Sequence, residues 1–150
     1  MNEAKNAIRK ILQDDDYLCG DEGILAVNRN PEDSDATPDR KFAIVDFKHL
    51  ENMKPPFITI KADDETNIGR GPGLVLDAFI QVRCYNTRDK TFFDINGVLS
   101  RVRALLHETR LDLGDGNASV ETRFELTRPE LPEEQINLNF RESQYRTRYL

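Results

Sequence analysis

Apolar residues recur every three or four positions in two segments, which predicts two amphipathic helices. The segment NEAKNAIRKIL, residues 2–12, places Ala4, Ala7, Ile8, Ile11 and Leu12 on one helical face, and the acidic run QDDDY ends this helix. The second segment starts near Thr91 and has the strongest helical pattern of the chain. Its apolar positions are Phe92, Ile95, Val98, Leu99, Val102, Leu105 and Leu106.

Alternating or dense apolar residues predict six strands, at 24–28, 42–47, 55–61, 74–85, 119–126 and 136–150. A long polar loop at about 28–41, a flexible glycine-containing loop at about 62–73 and a turn region at 127–135 separate them. The order of elements predicts an α+β fold. We expect a single domain over residues 1–150, with a mostly antiparallel sheet of about four to six strands and two helices packed on one face.

The loop NIGRGPG, residues 67–73, raises the possibility of a phosphate-binding site because its glycines stand at alternate positions. A phosphate loop lies between a strand and a helix, whose N-terminus binds the anion. The residues that follow, LVLDAFIQVRCY, have the alternation of a strand. We therefore interpret the glycines as bends in a loop that joins two strands, with Arg70 as its residue for a charged contact.

Composition narrows the functional classes. The chain has 150 residues, of which 32% are charged, and a formal net charge of −6, which argues against a general nucleic-acid binder. Cys19 and Cys84 have no C-x-x-C partners, so neither zinc nor a disulfide framework is indicated. The sequence shows no signal-peptide core and no apolar run of membrane-spanning length, so we expect a protein made in the cytoplasm.

No catalytic motif is recognisable. His107 falls at the end of the second predicted helix, where a structural role fits the helix dipole, and His49 has no partner at metal-ligand spacing. The acidic clusters at 14–16 and 63–65 are typical of solvated turns. We expect no enzyme, no cofactor and no metal. A hydrolase with a metal held by Asp63 and Asp64 is the least favoured alternative.

The last predicted strand interleaves basic and aromatic residues: Arg141, Tyr145, Arg146, Arg148 and Tyr149. Such a pattern can stack on single-stranded nucleic acid, which would make the protein a small nucleic-acid-binding regulator. Tyr and Arg are also enriched at protein interfaces, and the negative net charge favours this second interpretation. A long polar strand at a chain terminus would gain from cover by a neighbouring chain. We predict subunit or partner contacts at these five residues and at Asp63, Asp64 and Arg70.

The arrangement of these segments resembles the tail terminator, or tail completion, proteins of long-tailed bacteriophages. The resemblance covers roughly residues 2–12 and 55–126. It rests on the helix AKNAIRKIL, the Pro-led strand PPFITI, the glycine loop feeding LVLDAFIQVRCYN, the helix KTFFDINGVLSRVRALLHE directly after it, and two more strands.

The resemblance implies a structural virion protein of the tail or neck. Six copies would form a ring that caps the tail tube and joins it to the head, in contact with the tail tube protein and a head-tail connector protein. DNA would pass through the lumen without specific binding, since acidic walls repel its phosphates. Another head-tail neck component of similar fold remains an alternative.

Overall fold

The computed structural model of the protein describes residues 2–20, 23–25, 44–46, 54–62, 66–67, 76–87, 92–112, 121–134 and 136–149. These residues form three helices and seven strands. The helices are α1 (Asn2–Gln13), α2 (Asp16–Cys19) and α3 (Phe92–Leu106). The strands are β1 (Ile44–Asp46), β2 (Phe57–Ala62), β3 (Thr66–Asn67), β4 (Leu76–Thr87), β5 (Glu121–Thr127), β6 (Leu131–Glu133) and β7 (Leu138–Tyr149).

The strands form one sheet whose main path runs β1-β2-β4-β7-β5. Only β1 and β2 are parallel; the other pairs of described strands are antiparallel. The two long strands β4 and β7 pair along their whole length, from Leu76 opposite Tyr149 to Thr87 opposite Leu138. Strand β3 also pairs with β4, and β6 pairs with the first residues of β7. The α+β fold with a mostly antiparallel sheet is therefore confirmed.

All three helices pack on one face of the sheet, which we call the helix face. The apolar positions predicted for the two helices form the core there: Ile8 and Leu12 of α1 and Val98 and Val102 of α3 are fully buried. Their partners in the sheet are alternate residues of the strands: Ile58, Ile60, Ile80, Val82, Cys84 and Tyr145. The opposite face, the second face, carries a smaller apolar cluster of Phe57, Tyr85 and Phe140.

The acidic run after α1 does more than end a helix. Asp15 is the N-cap of α2, and its side chain accepts a hydrogen bond from the Leu18 N–H at 3.2 Å. An N-cap carboxylate satisfies one of the amides that a new helix leaves unpaired. The periodicity missed this helix because it has only four residues, of which Leu18 and Cys19 are buried.

Three other expectations are corrected. In the predicted strand at 24–28, Ile24 and Leu25 lie in a turn, where the Leu25 N–H bonds the Leu18 carbonyl at 2.8 Å. The predicted turn at 127–135 contains β6, and the predicted loop at 62–73 contains the end of β2 and all of β3. The predicted loop at 28–41 lies outside the described residues.

Candidate assembly surface

Strand β7 occupies the interior of the sheet. It pairs with β4 on one side and with β5 and β6 on the other. The sequence predicted this segment as a terminal strand that a neighbouring chain would cover, and that prediction is wrong about its position. Because the described residues of β7 pair on both sides, this strand is not an edge to which a second copy could add a strand.

Successive side chains of β7 point to opposite faces of the sheet. The residues predicted to form one contact surface are therefore divided between the two faces. Tyr145 lies on the helix face, where it is fully buried and packs edge-on against Phe124 with ring centroids 5.7 Å apart. A partner cannot reach it, which corrects its assignment as an interface residue. Burial also raises the pKa of the Tyr145 hydroxyl. Arg141 lies on the same face, half-buried, and donates to Asn96 of α3 and to the Arg128 carbonyl.

Arg146 lies on the second face, and its side chain is exposed. Its Nε donates to Glu125 Oε1 at 2.6 Å, so this cation is already paired within the chain. The backbones of Arg148 and Tyr149 pair with Asp77 and Leu76 of β4. The other predicted contact residues, Asp63, Asp64 and Arg70, lie outside the described part of the chain.

A buried carboxylate organises the second face. The side chain of Glu142 is only 4% exposed, and it accepts hydrogen bonds from Arg83 Nε at 2.8 Å and Gln144 Nε2 at 2.7 Å. The Nε atom of Arg128 lies 3.6 Å from the same carboxylate. Two cations offset the cost of burying the negative charge. Burial opposes the charged form of Arg83, but its hydrogen bond to Glu142 raises the pKa of its guanidinium.

The aromatic cluster stands beside this polar group. The Tyr85 ring stacks on Phe57 with centroids 5.0 Å apart and tilts against Phe140 at 5.3 Å. Arg83 links the two parts, since its guanidinium lies 4.4 Å from the centre of the Phe140 ring. Burial raises the pKa of the Tyr85 hydroxyl. Sequence reasoning missed this group because polar residues at alternate strand positions normally predict a solvated face.

The outer edge of β5 is capped by the segment that follows α3. The Glu108 N–H donates to the Thr122 carbonyl at 2.7 Å, and the Thr122 N–H donates to the Thr109 carbonyl at 2.9 Å. His107 Nδ1 accepts a hydrogen bond from the Phe124 N–H at 3.0 Å, so the neutral ring carries its proton on Nε2. His107 therefore has a structural role. At Thr122 and Phe124 this edge cannot add a strand from another chain.

A β-bulge near the end of β5 changes the face of the sheet to which the following side chains point. The register shifts between Phe124 and Leu126, so Leu126 pairs with Gln144 on the second face instead of continuing the helix-face series. It is 43% exposed there. Leu131 of β6, opposite Phe140 on the same face, is 47% exposed. The third large apolar residue exposed in the described ranges is Tyr17 of α2, at 52%.

The described ranges hold no group of three His, Cys, Asp or Glu side chains suited to a metal ion. None of the three described helices has the length and apolarity that a membrane crossing requires. The described surface has two places suited to contact with a partner. Leu126, Leu131 and Arg128 are exposed along one edge of the second face, and Tyr17 is exposed on the helix layer.

Comparison with known proteins yields a structural likeness. No protein-family model matches the chain, and no curated protein matches it in sequence. A chain solved in the "Virion of native gene transfer agent (GTA) particle" has the same fold, with a TM-score of 0.66. The alignment covers 97% of this chain and 92% of that chain, at 13% sequence identity. At this identity the likeness shows a shared fold.

Proposed function

We propose that this protein is a structural virion protein, a tail terminator that caps the tail tube as a ring and joins it to the head, with no enzymatic activity. One observation carries the proposal: the fold matches a chain of a gene transfer agent virion over almost the full length of both chains. The sequence resemblance to phage tail terminators supports the finer role. We propose that the ring has six copies because that resemblance implies a hexamer.

The distribution of charge suits a ring around DNA. The described residues include 14 Lys and Arg against 15 Asp and Glu, whereas the remaining residues of the chain carry 7 against 12. The described residues therefore carry a formal charge of −1, and the remaining residues carry −5 of the total of −6. Acidic segments at the lumen would repel the phosphate backbone and let DNA slide without specific binding.

The proposed partners follow from this role. Copies of the chain would contact one another through two different surfaces, because a closed ring is built from heterologous contacts. One end of the ring would meet the tail tube protein and the other a head-tail connector protein. Arg70, Asp63 and Asp64 stay proposed contact residues. Another neck component of similar fold is the alternative within the same class.

Localisation in the particle tests the function directly. We would place an epitope tag on the chain, purify virions, and find the tag by immunogold electron microscopy. A tail terminator places the gold at the junction of tail and head, once per particle. Gold over the capsid surface or the distal tail tip, or virions without the tag, would contradict the role.

The second candidate is a small nucleic-acid-binding regulator, which would bind through the Arg and Tyr residues of β7. The burial of Tyr145 removes one of its stacking platforms, and Arg141 already bonds Asn96 and the Arg128 carbonyl. Fluorescence anisotropy of a labelled single-stranded oligonucleotide separates the candidates. We expect no binding at micromolar protein and low salt, whereas binding that weakens steeply with salt would favour the regulator.

A further inference from the structure

We propose that a second copy of this chain docks the corner between its α1 and α2 onto the β5–β6 edge of the second face. The docking surface, which we call the edge strip, consists of Leu126, Arg128, Leu131 and Glu134. The surface that docks on it, the corner, consists of Lys10, Asp14 and Tyr17. This inference rests on the proposed ring and names the contact between its neighbours.

The edge strip is built for side-chain contact. The bulge after Phe124 turns Leu126 to the second face, and Leu131 faces the same way opposite Phe140. Between them along the chain, Arg128 continues the pairing with β7: its N–H bonds the Glu142 carbonyl at 2.8 Å. Its side chain is 58% exposed. The caps at Thr122 and Phe124 close that part of β5 to strand addition, and the leucine and arginine side chains beyond them supply the contact that we propose.

The corner presents the complementary groups on the other layer of the subunit. Tyr17 is the most exposed large apolar residue of the described ranges, and Tyr is enriched at interface centres. Lys10 and Asp14 are exposed one helical turn apart, joined by the hydrogen bond from the Asp14 N–H to the Lys10 carbonyl. Asp15 does not take part, because its carboxylate binds Arg101.

Charge and location select a second copy as the occupant. The corner offers an exposed anion and an exposed cation, and the edge strip offers Arg128 with the exposed Glu134 after β6. Opposite charges can therefore meet in one orientation, which fixes register. The two surfaces lie on different layers of the subunit, as a head-to-tail contact between ring neighbours requires. The leucines of one copy would cover the tyrosine ring of the next.

Cysteine pairing tests the contact. Chains carrying Tyr17→Cys are mixed with differently tagged chains carrying Leu126→Cys and oxidised, and mixed-tag disulfide dimers are counted on non-reducing gels. We expect these dimers to dominate. Lys61→Cys, exposed on the second face at β2, is the matched control and should form none with Tyr17→Cys. Dimers of the control pair in equal yield would overturn the proposal.

Charge reversal gives an independent test. Lys10→Glu should raise the concentration for half-assembly, measured by light scattering, at least about tenfold, and adding Glu134→Lys should restore it. Arg123→Glu on β5 is the control and should leave assembly unchanged. Circular dichroism checks that each variant folds.

The outcomes separate the two proposals. Rings seen by electron microscopy with neither cross-links nor charge rescue would overturn the docking and leave the tail terminator role standing. Chains that never assemble at any concentration, alone or with purified tail tubes, would overturn both.

Discussion

Asp15 and Arg101 join the start of α2 to the middle of α3. Arg101 Nε donates to both carboxylate oxygens of Asp15 at 3.1 Å, while the same carboxylate caps α2 through the Leu18 N–H. One acidic side chain therefore serves two elements that are 86 residues apart in the sequence. Tyr17 of the corner lies in the helix that this side chain caps.

Replacing Asp15 by Ala should destabilise the subunit by about 1 kcal/mol or somewhat more, because the helix loses its N-cap as well as an ion pair. Asp15→Ser keeps a capping oxygen and should lose less. Urea unfolding followed by circular dichroism measures both. Asp14→Ala, at the exposed neighbour, is the control; an equal loss there would show that the cap is not the cause.

The same ion pair sets a pH dependence. The hydrogen bond from Arg101, with the Leu18 N–H and against the effect of burial, lowers the pKa of Asp15 below its ordinary value of 3.8. A carboxyl group whose pKa is lowered by folding contributes its full stabilisation at pH values above its pKa in the unfolded state. That contribution is lost as the pH falls through its pKa in the folded state. The stability gap between wild type and Asp15→Asn should thus be constant above about pH 5 and shrink below 3.8. A gap that widens towards acid would contradict the assigned charge.

Leu99→Asp should prevent folding. Leu99 is 4% exposed in the core between α3 and the sheet, and an unpaired charge there costs about 4 kcal/mol or more, a large part of a domain's stability. Ser100→Asp places the same charge on the exposed neighbour and should fold normally. Expression yield and the far-ultraviolet spectrum compare the two, and a soluble, helical Leu99→Asp protein would mean that the core lies elsewhere.

Two glycines should respond to alanine in opposite ways. At Gly97, inside α3, an added Cβ would meet only the Tyr17 hydroxyl at 3.6 Å, an ordinary contact. Gly97→Ala should therefore stabilise by about 0.5–1 kcal/mol through helix propensity. At Gly20 the Cβ would lie 2.5 Å from the Asp16 carbonyl oxygen, so Gly20→Ala should destabilise. Thermal unfolding of both variants tests this, and a lower melting temperature for Gly97→Ala would argue against the α3 packing.

His107→Ala should release the Phe124 amide from the edge of β5. The loss of one half-buried hydrogen bond costs about 1 kcal/mol, and the Phe124 N–H should exchange with deuterium markedly faster. His107→Asn offers an oxygen acceptor and should retain part of the protection. Unchanged exchange at Phe124 in the alanine variant would show that something else caps this edge.

The helices were predictable because their buried sides coincide with apolar stripes, as Ile8 in α1 and Val98 in α3 show. The buried polar group of the second face was not predictable in this way. Glu142 is buried because Arg83, 59 residues earlier, reaches it from β4, and no local pattern encodes that partnership. The bulge before Leu126 likewise leaves an unbroken alternation in the sequence while the strand changes face. Strand order is set by pairing over long distances, which periodicity does not record.

The position of β7 reverses what truncation should do. As a peripheral interface strand, residues 141–150 could be deleted from a subunit that still folds. The structure instead places β7, which includes residues 141–149, between β4 and β5, with Tyr145 in the core. Deletion of 141–150 should therefore abolish cooperative unfolding. A smaller cut, removing only Leu150, should leave the melting curve intact. A deletion variant that melts cooperatively would show that β4 and β5 can close without β7, and the interior position of the strand would then be wrong.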